Sequence, residues 1–147
     1  DARFILVGSG PLRAAAEDFA ARLDLAPRAL FVGRTPHVGF WIEKMDALAL
    51  TSRHEGLPNV LIEAQMLGVP AVTTPAGGAA DAVAPLDCNF ILPEAADVDA
   101  ALAADHLASL ANRDGDSALA DASRLRAWAR ARFAVDTMAE RTIDLFG

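Results

Sequence analysis

Apolar and polar positions follow two rhythms along this chain. Phe4-Ile5-Leu6-Val7 is an unbroken apolar run closed by Gly8-Ser9-Gly10-Pro11, the pattern of a strand covered on both faces of a parallel sheet. Residues 12–25 change to helical spacing, with Leu12, Ala15, Ala16, Phe19 and Leu23 on one expected core face. Leu30-Phe31-Val32 predicts a second strand stopped by Gly33, and 38–45 predicts a short helix that buries Phe40, Trp41 and Met45. Ala47-Leu48-Ala49-Leu50 predicts a third strand, and 59–67 a helix with Gly68 as its C-terminal stop. Residues 70–74 predict a fourth strand, 75–78 a turn, 79–83 a weak helix and 88–92 a fifth strand. From Val98 onward the pattern predicts two Ala- and Arg-rich helices parted by the polar cluster 112–116.

Strands alternating with helices at this spacing predict an α/β fold, a Rossmann-like parallel sheet with helices on both faces, in one domain over 1–147. Open sheets of this kind bind ligands beyond the C-terminal ends of their strands, which directs attention to the loops at Gly8, Gly33, Ser52 and Thr74.

Composition narrows the function. The 147 residues are 53% hydrophobic and 22% charged, unlike a disordered chain. Thirteen Lys and Arg against twenty Asp and Glu leave a net charge of −7, so no basic field is present and nucleic acid is not an expected partner. The single cysteine, Cys88, excludes an internal disulfide and reads as a small buried hydrophobe. No apolar run approaches the ~18 residues of a membrane span. Asp1-Ala2-Arg3 does not read as a leader peptide; it runs straight into a predicted strand, as expected of a chain cut from something longer.

The stretch Ser52-Arg53-His54-Glu55-Gly56-Leu57-Pro58-Asn59-Val60-Leu61-Ile62-Glu63-Ala64 joins the third strand to its helix at the expected ligand edge. Gly56 lets backbone approach a ligand, Pro58 stiffens the turn, and Asn59 is the expected N-cap. The Val60 and Leu61 amides are then free donors in the first helical turn. With the helix dipole they make a phosphate site that an acidic protein can offer without a basic patch. Glu55 and Glu63 bracket this turn with seven residues between them. Taken singly, each glutamate reads as an ordinary solvated or helix-end carboxylate. Placed together around a Gly-Leu-Pro-Asn turn, they read as acceptors for sugar hydroxyls.

This stretch resembles the E-x7-E motif of retaining glycosyltransferases of the GT-B fold, family 4-like, a group that includes many polysaccharide and lipopolysaccharide synthases. Leu6-Val7-Gly8-Ser9-Gly10-Pro11 resembles that family's strand and glycine loop, and Leu30-Phe31-Val32-Gly33 the strand and loop that meet the nucleotide base. Gly68-Val69-Pro70-Ala71-Val72 and Pro75-Ala76-Gly77-Gly78 resemble its next strand and glycine turn. Order and spacing agree from Phe4 to about Leu92. The resemblance implies a donor-binding domain, one half of a GT-B architecture. In that pattern Glu55 is the catalytic-position residue beside the donor sugar, and Glu63 accepts hydrogen bonds from the ribose. Backbone amides of Gly56, Leu57, Asn59 and Val60 surround the sugar and diphosphate; Gly33, Arg34 and Val38 lie by the base. The implied reaction is a hexosyl-type transfer from a nucleoside diphosphate sugar to an acceptor hydroxyl with retention, and no metal or other cofactor is expected. The resemblance further implies a missing first strand with its Arg- and Lys-bearing loop, and a missing N-terminal acceptor-binding domain. An isolated chain is therefore expected to keep an exposed flank, to bind donor weakly and not to turn over. A cytoplasmic location, at the inner face of the membrane and with peripheral membrane contact by the full-length protein, completes the expectation.

Other signals carry less. Gly8-Ser9-Gly10-Pro11-Leu12-Arg13 fits the dinucleotide fingerprint only in part, because Arg13 replaces its third glycine. His54 reads as a solvated loop residue, His37 and His106 lack ligand partners, and Arg34 and Arg53 read by default as exposed. Arg124, Arg126, Arg130 and Arg132 read as a solvated helix face. Two alternatives to the transferase stay open: a nucleotide-sugar epimerase of similar architecture, and a noncatalytic α/β binding module. A receiver domain needs acidic strand ends where this chain has Gly8-Ser9-Gly10 and Thr51-Ser52.

Overall fold

This computed structural model, which describes residues 2–94 and 97–146, divides the chain into two compact units, Asp1–Lys44 and Met45–Gly147. Asp1, the first residue of the Asp1-Ala2-Arg3 start, lies outside the described residues.

In the first unit, β1 (Phe4–Val7) pairs in parallel with β2 (Ala29–Gly33), with Phe4 opposite Ala29 and Leu6 opposite Phe31. The connection is α1 (Arg13–Arg22) followed by a 3-10 turn at Ala26–Arg28, where Pro27 sits in the first turn. A short helix, α2 (Val38–Ile42), closes the unit. The strand positions match expectation, but the two-sided burial does not. Phe4 and Leu6 are exposed while Ile5 and Val7 are half-buried. The expected core face of the first helix is corrected likewise: Leu12, Phe19 and Leu23 are exposed, and Ala20 is the buried residue of α1. In α2 the core residue is Ile42, whereas Phe40 is exposed and Met45 lies beyond the helix.

In the second unit, β3 (Leu48–Leu50), β4 (Ala71–Thr73) and β5 (Phe90–Ile91) form a parallel sheet in that order. Central β4 is buried along its whole length, as a strand with neighbours on both edges and cover on both faces should be. Between these strands run α3 (Asn59–Leu67) and α4 (Ala79–Ala82). Leu61 of α3 packs with Ala71, Ala79, Ala82 and Val83 in one apolar cluster; Leu125 packs with Ala84, Cys88 and Leu110 in another. Gly68 ends α3 at φ 80°, a left-handed geometry that suits glycine, and the Arg126 guanidinium occupies the space a Cβ would need.

A polar network centred on the buried Gln65 ties these elements together. The Gln65 carbonyl oxygen accepts from the Ala84 N–H (3.1 Å) and the Asn89 amide (3.0 Å). Asn89 in turn accepts from the Ala71 N–H at the start of β4 (2.8 Å) and donates to the Ala84 carbonyl (2.9 Å). Every polar side-chain atom buried among the described residues has a partner.

Among the described residues the C-terminal region holds three helices, not two: α5 (Ala100–Ala111), α6 (Gly115–Phe133) and α7 (Val135–Phe146). Asp99 and Asp114 cap the first two, accepting from the Leu102 and Ser117 N–H groups. The unforeseen break falls at Ala134, which is extended at ψ 142°. Alanine is a strong helix former, so no local signal marks this break. No described helix is long and apolar enough to cross a membrane.

Candidate functional site

The residues singled out by sequence fall in both units, and each set has its own setting. In the first unit, Gly33 is the buried last residue of β2, Arg34 follows it exposed, and Val38 opens α2 half-buried. A cleft of about 530 Å³ lies beyond the C-terminal end of β2, lined by Val32, Arg34, Thr35, His37, Phe40 and Trp41. Its aromatic wall is an edge-to-face pair, Phe40 and Trp41, with ring centres 5.3 Å apart. The His37 N–H donates to the Thr35 hydroxyl (3.1 Å), which fixes the turn into α2. Phe40, expected in the core, is instead exposed on the cleft wall, and Trp41 lines the same wall half-buried. Arg13, a mismatch in the glycine fingerprint, has a structural task. Its guanidinium donates to the Phe31 carbonyl (3.1 Å), pairs with Glu17 (2.8 Å) and fills the space beside Gly33.

In the second unit, a loop without regular structure carries Ser52 to Leu57 from β3 to α3. Pro58, buried and extended, is the N-cap residue, and Asn59 is the first helical residue; Asn59 as side-chain cap is therefore corrected. Proline at this point supplies no side-chain acceptor, so the first turn keeps open donors. The Leu61 N–H is not one of them, because it donates to the Pro58 carbonyl (3.0 Å). The Asn59 and Val60 N–H groups donate to no described acceptor. Glu63 projects from the second turn, exposed, and Glu55 is half-buried in the loop. Neither carboxylate has a hydrogen bond or ion pair with a described residue, so both are available to a ligand. Gly56 and Leu57 are exposed.

The loop after β4 lies directly against this segment. The buried Thr74 donates its N–H to the Leu50 carbonyl (3.0 Å) and its hydroxyl to the Ser52 carbonyl (2.5 Å). The Gly78 N–H donates to the Gly56 carbonyl (2.6 Å). In sequence Thr74 reads as the end of a strand and 75–78 as a turn, and nothing in their local pattern signals this contact. His54 is exposed, as expected for a loop histidine, and among the described residues no cluster of acidic, His and Cys side chains could hold a metal ion. His106 stacks on Phe90 at 4.9 Å, at the first residue of β5 and not at a C-terminal strand end.

Known proteins are similar to this chain in sequence and fold. A family model described as "Glycosyl transferases group 1" matches residues 1–112. A Salmonella typhi protein described as Vi polysaccharide biosynthesis protein VipC/TviE is 54% identical over 93 residues, covering 63% of this chain and 16% of that protein. A 2-deoxystreptamine N-acetyl-D-glucosaminyltransferase of Streptomyces fradiae is 30% identical over 150 residues, covering 96% of this chain and 33% of that enzyme. The solved structure of Anabaena HepE in complex with UDP-glucose superposes with a TM-score of 0.74 at 27% identity, over 97% of this chain and 40% of HepE. The chain thus spans between 16% and 40% of the length of these relatives.

Proposed function

The chain belongs to the glycosyl transferases group 1 family, and from that premise we propose that it is the donor-binding domain of a retaining glycosyltransferase. The donor is a nucleoside diphosphate sugar and the acceptor a hydroxyl, in the assembly of a polysaccharide or lipopolysaccharide. The observation that carries this reading is the mouth of α3: the Asn59 and Val60 amides, with Glu55 before and Glu63 after them in the chain, none of which has a partner among the described residues. The likeness to HepE with bound UDP-glucose supports a UDP-sugar as the first donor to test.

In the proposed reaction the bond from the anomeric carbon to the diphosphate breaks, a bond to the acceptor oxygen forms, and the hydroxyl proton passes to the departing diphosphate. Negative charge grows on the departing diphosphate. The Asn59 and Val60 amides and the helix dipole are fixed dipoles that meet such charge without reorganising. Glu63 accepts from the ribose hydroxyls, and Glu55 lies beside the sugar. The Gly56 and Leu57 backbone lines the same ligand. Because amides and the dipole oppose the diphosphate charge, we propose donor binding without a metal, so it should persist in EDTA. Acceptor binding is assigned to the part of the relatives that this chain does not match, so this chain binds donor without turning it over.

Calorimetric titration with UDP- and GDP-hexoses tests the reading. Saturable binding is expected, and Glu63→Ala should weaken it roughly 10–150-fold through loss of a hydrogen bond to a charged group. Absence of binding to every nucleotide sugar, or a Glu63→Ala variant that binds as well as the parent, overturns it.

A further inference from the structure

Glu55 sits on a loop with no helical or strand hydrogen bonds of its own, yet its proposed role demands a fixed position. Two of that loop's carbonyls, those of Ser52 and Gly56, are held by one neighbouring segment, Thr74 to Gly78. Thr74, with no exposed surface, holds the loop at its start through the Ser52 carbonyl. Gly78 holds it one residue past Glu55 through the Gly56 carbonyl. Between these two anchors stands Gly77, in the left-handed region at φ 54°. A Cβ on Gly77 would lie inside the contact radius of the Glu55 carbonyl oxygen and 2.7 Å from the Gly56 oxygen, which are backbone atoms that cannot swing aside. Both the torsion and the space therefore require glycine here.

We propose that the Thr74–Gly78 turn is a positioning element that sets the height and direction of the Glu55 loop, with Thr74 and Gly77 as its positioning residues. The inference rests on the reading of Glu55 as the residue beside the donor sugar. Two hydrogen bonds and one close backbone approach span five residues of the loop, so the turn that starts at the fully covered Thr74, just past β4, sets where Glu55 lies. The α3 mouth and Glu63 have further anchors of their own, the buried core around Leu61 and the Gln65 network. Disturbing the turn should therefore harm the sugar contact more than the nucleotide contact.

The test uses the nucleotide sugar that the wild-type chain binds most tightly from a panel of UDP- and GDP-hexoses, together with its parent UDP or GDP. Thr74→Val keeps the shape but leaves the Ser52 carbonyl unpaired; it should weaken nucleotide-sugar binding about tenfold, with the parent nucleotide changed less than about twofold. Thr74→Ser restores the hydroxyl and should restore nucleotide-sugar affinity to within about twofold. Gly77→Ala should weaken nucleotide-sugar binding more than Thr74→Val does. Thermal unfolding of each variant shows that it is folded; if Gly77→Ala is not, the Thr74 pair decides alone. Equal losses for nucleotide and nucleotide sugar, an unaffected Thr74→Val, or a Thr74→Ser that fails to rescue overturns the positioning role and leaves the donor-domain reading intact. Failure of the wild-type chain to bind any member of the panel overturns that reading first, and this inference with it.

Discussion

Only Ala20, Gly33 and Ile42 are buried among the described residues of Asp1–Lys44, whereas Met45–Gly147 buries Leu61, Val72, Leu92 and Leu125 around a three-stranded sheet. Both units begin from the same motif, a parallel strand pair joined through a helix. In the second, β4 has a strand on each side and helical cover; in the first, β1 and β2 have, among the described residues, only each other as strand partners and present Phe4, Leu6 and Leu30 to solvent. An apolar run is thus sufficient to make a strand, but two-sided cover depends on neighbours that the run does not specify. Stability should be distributed accordingly, with the high-energy unfolding unit in Met45–Gly147.

Each tryptophan reports one unit, Trp41 the first and Trp128 the second, so single-tryptophan variants in urea can test the contrast. The largest effect is expected for Leu125→Ala, which empties a fully buried site and should cost about 2–5 kcal/mol in the Trp128 transition. If it costs no more than a surface substitution, the contrast is broken. Next comes Gln65→Leu, which fits the volume but strands the Ala84 N–H and one N–H of the Asn89 amide; a loss of about 1–3 kcal/mol is expected. Phe19→Ala removes an equally large apolar side chain from the first unit, yet should stay within about 0.5 kcal/mol because Phe19 is already 56% exposed. A large loss there would show that the face is covered in solution.

The smallest effect sharpens the picture within the second unit. The Ser117 N–H, and then its hydroxyl, hold the Asp114 carboxyl below its ordinary value at the start of α6. A folded pKa below the unfolded one contributes stability that is present above the unfolded value, ~3.9 for a free aspartate, and lost as pH falls through the folded value. Asp114→Ala should therefore lower the melting temperature slightly at pH 7, and the gap from the parent should close as the pH drops below about 4. A gap that stays constant with pH would remove charge from the account of this cap. Cys88 offers a parallel check: burial pushes its thiol up, with Asp121 adding to this and Arg113 opposing it, so alkylation near pH 8 should keep pace with unfolding.

Much of the candidate site was legible because its signals are local. Gly68 in the left-handed region ends α3 where its sequence position indicated, and the Glu55 and Glu63 spacing is a property of the chain. Asn59 misled because asparagine is a good cap by propensity, while Pro58, buried and extended, already occupies the capping position. Phe40 misled because an aromatic side chain on a short helix reads as core whether it lines a cleft or fills an interior. Ala134 gave no warning of a break because its own preference is helical.

Torsional preference and hydrophobic period act over a few neighbouring residues. They were enough to write the α/β alternation, the strand positions, the glycine stops and the glutamates that bracket a helix start into the chain. Packing was needed to settle which faces are covered, that Gln65 and Asn89 share one polar network, and that Thr74 and Gly77 bear on the Glu55 loop. Those contacts join residues about twenty positions apart, and their geometry exists only once parallel strands lie side by side.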